Sequence, residues 1–228
     1  MKLDFKDKVI LVTGASRGIG KQIADDFTEL GGNVIRVSSE QCNFLDLDEI
    51  NEYFNSVSNL NRVDILINNA GINRIDYLDN ISIVDYDEIM KVNLYAPLLV
   101  SQYISRLMKK NNYGRIVNIS SIWGTKTKEQ RTSYTTSKAG LIGMTKTMSV
   151  ELAKHNILVN SVSPGFTLTE LTKSILSVKD MEELSNQVPL GRFATVDEIS
   201  KVVLFLSSEL NTYINGQDIK VDGGFTNV

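Results

Sequence analysis

The sequence is poor in the residues that build metal sites and disulfides. Its 228 residues include one cysteine, Cys42, and one histidine, His155. A lone cysteine cannot form an internal disulfide, and together the two residues cannot supply the usual ligand set of a zinc site. A single imidazole also argues against Ser-His-Asp hydrolase chemistry, because that mechanism needs a histidine base. We therefore expect no metal, no disulfide and no hydrolase triad.

Long apolar runs and a dominant charge are also missing. No run is long enough to span a bilayer, and the formal net charge is −3 with both signs interspersed, so neither a membrane nor a nucleic acid is an expected partner. The charged stretch Met1 to Lys8 lacks the apolar core of a signal peptide. We expect a cytoplasmic protein whose residues 1–228 form one domain.

Short β-branched segments alternate with amphipathic segments along the chain. This alternation predicts an α/β fold, a single doubly wound parallel sheet of the Rossmann type. Strands are predicted at Val9–Thr13, Val34–Ser38, Val63–Asn68, Arg115–Ser120, Ile157–Ser163 and Asp218–Val221. Helices are predicted at Ile19–Leu30, Asp46–Ser58, Asp85–Lys109, Ser133–Lys154 and Asp197–Ser207.

The connection after the second strand is unusually short. Between Ser38 and Asp46 there is no room for the dozen or so residues that a further parallel crossover requires. We therefore predict about six strands, with the third strand and its preceding helix of the usual fold reduced or absent. The strand Val34–Ser38 then lies at or near an exposed edge.

A glycine-rich turn joins the first strand to the first helix. Backbone N–H groups and the helix dipole at such a turn can hold a pyrophosphate, although glycines there also serve packing. We assign cofactor binding to residues of this turn, namely Gly14, Ser16, Arg17, Gly18, Ile19 and Gly20.

The end of the second strand favours NADP(H) over NAD(H). NAD sites usually place an acidic residue there for the ribose 2′-hydroxyl, whereas this strand ends in Ser38 and Ser39. Arg17 can reach the same place and supply charge-assisted hydrogen bonds to a 2′-phosphate. The alternative is that Arg17 is solvated and Glu40 binds the ribose, which leaves NAD(H) open.

The most informative pair is Tyr134 and Lys138. A spacing of four residues places the phenol and the ammonium on one face of a helix, and a nearby cation favours the phenolate needed for proton transfer. Such pairs are also ordinary on exposed helices. Upstream, Ser120 and Ser121 follow a strand at its carboxyl end, where either hydroxyl could donate to a carbonyl or simply end the strand.

Together these residues closely resemble the short-chain dehydrogenase/reductase superfamily over Lys8 to Val228, and bacterial 3-oxoacyl-acyl-carrier-protein reductases in framework. The motifs that carry the resemblance are Thr13 to Gly20, Asn68-Asn69-Ala70-Gly71, Lys91-Val92-Asn93, Ser121, Tyr134 with Lys138, Ser163-Pro164-Gly165 and Asp222-Gly223-Gly224.

The resemblance implies a role for each matching residue. Ser121 polarises the carbonyl, Tyr134 passes the proton, Lys138 also holds the nicotinamide ribose, and Asn93 continues a proton relay. Further cofactor contacts are implied along the chain, at Asn43, Phe44, Asn69, Ala70, Gly71, Pro164, Gly165 and Thr167. For Asn68 and Asn93 a purely structural role is the alternative.

Residues 167–187 are predicted to form a mobile lid over the substrate. The substrate is expected to be a small molecule or an acyl carrier protein thioester. Lys126, Lys128 and Arg131 would instead suit a polar sugar-type substrate, unless they face solvent. A non-catalytic nucleotide-sensing module and a nucleotide-sugar epimerase are competing hypotheses. The resemblance also implies a homo-oligomer, a dimer or tetramer, with the helices Asp85–Lys109 and Ser133–Lys154 as candidate interfaces.

Overall fold

The computed structural model describes residues 3–57 and 61–228. Six parallel strands form one sheet in the order β2-β1-β3-β4-β5-β6, which confirms the doubly wound α/β prediction. The strands are β1 (Val9–Thr13), β2 (Asn33–Val37), β3 (Ile65–Asn68), β4 (Gly114–Ile119), β5 (Ile157–Pro164) and β6 (Asp218–Val221). The helices are α1 (Gly18–Glu29), α2 (Leu47–Val57), α3 (Ile83–Met90), α4 (Ala96–Asn111), α5 (Thr132–Leu152), α6 (Glu170–Ile175), α7 (Val178–Ser185) and α8 (Val196–Ser207).

Two layers of helices cover the sheet and bury its strands from both sides. Helices α1 and α8 pack on one face, over a core that includes Ile10, Val12 and Ile67. Helices α2 and α4 pack on the other face, over Leu11 and Leu66. Successive residues of β1 therefore serve opposite cores, as the two-residue period of a strand requires.

The sheet ends at β2, because no described strand lies beyond it. This agrees with the prediction that the third strand of the usual fold is reduced or absent. Cys42 and Phe44 anchor the short connection, because their side chains are buried in the same core cluster as Val37 and Phe54 at the sheet edge. The Asp46 carboxylate then accepts hydrogen bonds from the first turn of α2 and so begins that helix.

The predicted helix Asp85–Lys109 is confirmed as one continuous helical stretch, which runs from Ile83 to Asn111. The structure divides it into α3 and α4, joined by a π-helical turn over Lys91–Tyr95. Pro97 stands in the first turn of α4, where a missing N–H costs no helical hydrogen bond. The π turn carries Asn93, and such turns often accompany functional sites.

The predicted lid contains two short helices, α6 and α7. The Ser177 hydroxyl and the Asp180 carboxylate cap α7 reciprocally, and the Thr169 hydroxyl caps α6. Whether this segment moves stays a prediction. The predicted helix end at Ser58 lies outside the described residues. Within the described parts of the chain, no helix is both long enough and apolar enough to cross a bilayer.

Candidate active site

The four predicted catalytic residues come from different elements and meet at one end of the sheet. Ser121 follows β4, Tyr134 and Lys138 lie on the first turns of α5, and Asn93 lies on the π turn. A hydrogen bond joins the Ser121 and Tyr134 hydroxyl groups. The structure thus favours Ser121 over Ser120, whose hydroxyl donates to the Lys138 carbonyl oxygen at 3.1 Å.

Lys138 is a buried ammonium beside the phenol. Its Nζ lies 5.7 Å from the centroid of the Tyr134 ring and donates to the Ile119 carbonyl oxygen at 2.8 Å. The side chain is 3% exposed, and this burial lowers the pKa of Lys138 to about 8, because the charged form loses its hydration. The protein therefore holds this cation in place at the cost of desolvation.

The electrostatics of Tyr134 differ from the sequence prediction. Burial raises the pKa of Tyr134, and the hydrogen bond from Ser121 and the charge of Arg131 only partly offset that rise. The charge that lowers the pKa of the phenol is that of Arg131, and the effect of Lys138 on the phenolate stays a prediction. The raised pKa keeps the Tyr134 phenol protonated at neutral pH.

Asn93 is fully buried and its side chain has structural partners. Its amide donates to the Ile72 carbonyl oxygen at 2.9 Å, and its Oδ1 accepts from the Ile72 N–H at 2.8 Å. Nδ2 also lies 3.1 Å from the Ser137 hydroxyl on α5. Asn93 therefore fixes the chain after Gly71, where a Cβ would lie 3.4 Å from Asn93 Oδ1 and 3.5 Å from Lys138 Nζ.

The turn between β1 and α1 has the features that a dinucleotide requires. Gly14 has φ +65°, and a Cβ there would lie 2.8 Å from the Ala70 Cα, so only glycine fits. Among the described residues, no side chain caps α1 and no acidic residue stands in its first turn. Its N-terminal N–H groups are therefore available to a phosphate. Ser16 and Arg17 are exposed beside them.

A hydrogen-bonded clasp joins this turn to the segment after β3. The Thr13 hydroxyl accepts from the backbone N–H groups of Asn69 at 3.0 Å and Ala70 at 3.1 Å. The Asn69 side-chain amide donates to the carbonyl oxygens of Thr13 and Gly14, each at 3.0 Å. Asn69 thus stabilises the glycine turn through these two hydrogen bonds, a structural role that the sequence analysis did not predict.

Of the polar groups predicted to meet a 2′-phosphate near the end of β2, some are already hydrogen-bonded within the protein and others are available to a cofactor. The Ser38 hydroxyl is buried and donates to the Gln41 side chain at 2.7 Å. Ser39 and Glu40 are exposed. The Arg17 side chain makes no hydrogen bond or ion pair with any residue in the described ranges. Of the groups predicted to meet a 2′-phosphate, Arg17 and Ser39 are available and Ser38 is not.

The predicted adenine residues belong to the loop that closes the sheet edge. Asn43 accepts from the Leu45 N–H through Oδ1 and is exposed, so its side chain turns the loop toward α2. Phe44 is 7% exposed and packs in the core beside Phe54. Cofactor binding by both residues stays a prediction.

The predicted nicotinamide residues lie where β5 ends. Gly165 approaches β6 so closely that a Cβ would lie 2.7 Å from the Asp222 Cα. The Thr167 hydroxyl donates to the Gly165 carbonyl oxygen, and the lid's Thr172 donates to the Thr167 carbonyl oxygen at 2.9 Å. Pro164, Gly165 and Thr167 therefore form the connection from which the predicted lid segment leaves the sheet.

An aromatic cluster borders the site and was not predicted. Trp123 lies 5.9 Å from Phe225 and 6.2 Å from Phe166, and Phe166 stacks on Phe193 at 5.4 Å, all between ring centroids. These rings come from four distant segments of the chain, so no local pattern could reveal the cluster. In the described residues, no group of three or more histidine, cysteine or carboxylate side chains could hold a metal ion.

Comparisons with known proteins agree with this geometry. A family model described as enoyl-(acyl carrier protein) reductase matches residues 36–226. The chain is 41% identical to 3-oxoacyl-(acyl-carrier-protein) reductase FabG of Aquifex aeolicus, over 98% of this chain and 99% of that protein.

Two solved structures are similar over almost the whole chain. A gluconate 5-dehydrogenase from Burkholderia cenocepacia, in complex with NADP and tartrate, has a TM-score of 0.92 at 26% identity and covers 99% of this chain and 98% of its own. The aldohexose dehydrogenase of Thermoplasma acidophilum has a TM-score of 0.92 at 28% identity, over 98% of this chain and 95% of its own. The chain belongs to the short-chain dehydrogenase/reductase family and is an oxidoreductase that interconverts carbonyl and alcohol groups.

Proposed function

We propose that this oxidoreductase reduces a ketone with NADPH, and that its substrate is a 3-oxoacyl thioester. The observation that carries the proposal is the hydrogen bond between the Ser121 and Tyr134 hydroxyls, beside the buried ammonium of Lys138. The thioester is supported by the full-length similarity to reductases of 3-oxoacyl-acyl-carrier-protein. A small thioester and a thioester on acyl carrier protein present the same ketone.

Each of the four proposed catalytic residues has its own role in the reaction. When bound, the nicotinamide supplies the hydride to the carbonyl carbon. Ser121 donates a hydrogen bond to the carbonyl oxygen, and Tyr134 transfers its phenolic proton to that oxygen as negative charge develops. Lys138 holds the nicotinamide ribose with its ammonium and stabilises the phenolate that remains. Asn93, which borders the space over Gly71 together with Lys138, continues the relay that returns a proton to Tyr134.

The preference for NADP(H) is part of the proposal. Arg17 and Ser39 are the groups available to a 2′-phosphate, and a charge-assisted hydrogen bond from a guanidinium is a strong contact for it. The solved Burkholderia cenocepacia neighbour holds NADP. The cytoplasmic location, the mobility of the lid and the single domain stay predictions of the sequence.

A polar sugar-type substrate is the second candidate. The loop between Ser121 and Tyr134 carries three cations, and two of them, Lys128 and Arg131, lie 5.6 Å over the Trp123 ring. The solved neighbours named for gluconate and aldohexose favour the same class. A neutral acyl thioester gives these cations no partner near the ketone.

The proposal is tested with Tyr134→Phe. This change removes one hydroxyl and keeps the ring, so we expect turnover of acetoacetyl-coenzyme A with NADPH to fall about 10²- to 10⁴-fold, the usual loss of a general acid. Binding of NADPH, measured by fluorescence titration, should stay within about twofold, because the ring and Lys138 remain.

Tyr213→Phe is the matched control, because Tyr213 is 96% exposed and far from the site in sequence. It should leave both measurements unchanged. Turnover by Tyr134→Phe at the rate of the unmodified protein would refute the proton-transfer role. Gluconate oxidation with NADP⁺, assayed beside the thioester, decides between the two substrate classes.

A further inference from the structure

Arg131 is a cation that forms no ion pair and no side-chain hydrogen bond with any residue the structure describes. It is the last residue before α5, half-buried, with its guanidinium carbon 5.6 Å from the centroid of the Trp123 ring. Its Nε is buried and has no hydrogen-bond acceptor among the described residues. No carboxylate in the described parts of the chain forms an ion pair with it.

The placement of this guanidinium is unfavourable for the chain alone. A cation at the N-terminus of a helix opposes the helix dipole, and the first turn of α5 contains no acidic residue to offset it. Burial of an unpaired charge adds a desolvation cost, which is seen in the lowered pKa of Arg131. A bound anion would remove both costs, because it would pair with the charge and accept from the buried N–H.

The two other cations of the loop do not share this condition. The Lys126 ammonium already donates to the carbonyl oxygens of Phe225 at 3.2 Å and Val228 at 2.6 Å. Lys128 lies over the same Trp123 ring as Arg131, but it is exposed, so water solvates its charge. Arg131 is therefore the cation of this loop with a buried N–H that has no acceptor among the described residues.

Arg131 is also close to the reacting groups. It stands three residues before Tyr134, and its charge acts on the titration of the Tyr134 phenol. The Trp123 ring beneath it is fixed by edge contacts with Phe166 and Phe225. An anion held by Arg131 would thus lie beside a carbonyl positioned on Tyr134, with one aromatic wall that excludes water.

We propose that Arg131 and Trp123 form an anion subsite that binds a carboxylate of the substrate, close to the carbonyl that Tyr134 protonates. This inference rests on the proposed function, since it places the substrate on Tyr134. It deepens the second candidate function, because a substrate bound in this way is an acidic ketone or hydroxy acid of the polar sugar-type class.

The test compares acetoacetate with methyl acetoacetate, which present the same ketone with and without a carboxylate. Arg131→Met should lower kcat/KM for acetoacetate about 10- to 100-fold, the usual effect of losing a charge-assisted hydrogen bond, and change that for the ester less than about threefold. Arg131→Lys should recover part of the loss. Lys128→Met is the matched control, since it removes a cation from the same ring, and it should change neither value appreciably.

Tryptophan fluorescence gives a second readout that does not depend on turnover. Trp123 is the only tryptophan of the chain, so its emission reports occupancy of the subsite. Titration of the NADP⁺-loaded protein with acetoacetate should give a saturable change, which Arg131→Met abolishes and Tyr134→Phe retains.

The outcomes separate the two proposals. An equal fall of kcat/KM for both substrates in Arg131→Met would show that Arg131 acts through Tyr134 or the fold. That result would overturn the subsite while the proposed function stands. Loss of the proposed function, with full turnover by Tyr134→Phe, leaves the fluorescence titration to decide the subsite. A titration without saturation in the unmodified protein would also overturn it.

Discussion

Arg17 and Ser38 were both predicted to meet a 2′-phosphate, but they differ in whether their polar groups are already hydrogen-bonded. The Ser38 hydroxyl is already hydrogen-bonded to Gln41, which also accepts from the Ser38 N–H. Binding a phosphate there would break a buried hydrogen bond before a new one forms. Arg17 has no such bond to lose within the described residues. We therefore expect the proposed preference for NADP(H) to depend on Arg17 more than on Ser38.

Arg17→Ala tests this dependence. We expect the dissociation constant of NADPH to rise about 10- to 100-fold and that of NADH to change less than about threefold, because only NADPH carries the 2′-phosphate. Both constants are measured by fluorescence titration. Arg36→Ala is the control, since Arg36 is exposed nearby on β2 but already paired with Asp25 at 2.7 Å.

A parallel loss of affinity for both cofactors would contradict the assignment. It would show that Arg17 holds the pyrophosphate, which the two cofactors share. Tighter binding of NADH than NADPH by the unmodified protein would instead support the alternative in which Glu40 binds the ribose.

At the scale of elements, the strands and most helices could be predicted because each has its own local pattern. The five predicted helices and six predicted strands all appear, with ends shifted by a few residues. The π turn between α3 and α4 was not predicted, and the partner of its Asn93 is Ile72, 21 positions away, which a local pattern does not reveal. The structural contacts of Asn69 were not predicted either, because its partners Thr13 and Gly14 belong to another loop.

The clasp between the β1 and β3 loops is the contact that unites the cofactor end of the sheet. In the sheet order, β1 and β3 are neighbours, yet β2 and α2 separate them along the chain. The Thr13 hydroxyl is the atom that spans this gap, since it accepts two backbone N–H groups and donates toward the Ile67 carbonyl oxygen at 3.4 Å. The Thr13 hydroxyl thus acts together with the Asn69 amide to join the glycine turn to the segment after β3.

Thr13→Val is nearly isosteric and removes that hydroxyl. We expect a loss of about 2–4 kcal/mol in the free energy of unfolding, because two N–H groups lose their acceptor, together with weaker binding of NADPH. Chemical denaturation and fluorescence titration measure the two effects. Thr28→Val is the control, since its hydroxyl donates within its own helix to the Ala24 carbonyl oxygen. Equal stability of the two variants would show that the clasp contributes nothing.

For the whole molecule, the short connection after β2 changes the edge of the sheet and leaves the site intact. The β1 and β3 ends form the switch point of the strand order, where connections leave in opposite directions and a ligand can lie between them. A strand beyond β2 would be two positions away from this crevice. Without such a strand β2 is the sheet edge, at the end predicted to hold the adenosine, while Ser121 stands after β4 and Tyr134 and Lys138 lie on α5.

The helices that carry the catalytic residues also expose apolar side chains. Val150 on α5 is 79% exposed, and Tyr95 and Leu98 at the start of α4 are 44% and 41% exposed. Apolar groups grouped on long helices are typical of subunit contacts. We therefore expect the proposed homo-oligomer, a dimer or tetramer, to form through α4 and α5, which would brace the Tyr134 and Lys138 helix from outside.

Val150→Glu should shift the protein to a smaller species, because a carboxylate buried in an apolar contact loses its hydration. Size-exclusion chromatography with light scattering measures the mass, and thermal unfolding should show a lower Tm at the same concentration. Val178→Glu is the control, since Val178 is also 79% exposed but lies on α7 in the lid segment. A monomeric unmodified protein would show that no such contact forms. A Val150→Glu variant of unchanged mass would place the contact elsewhere.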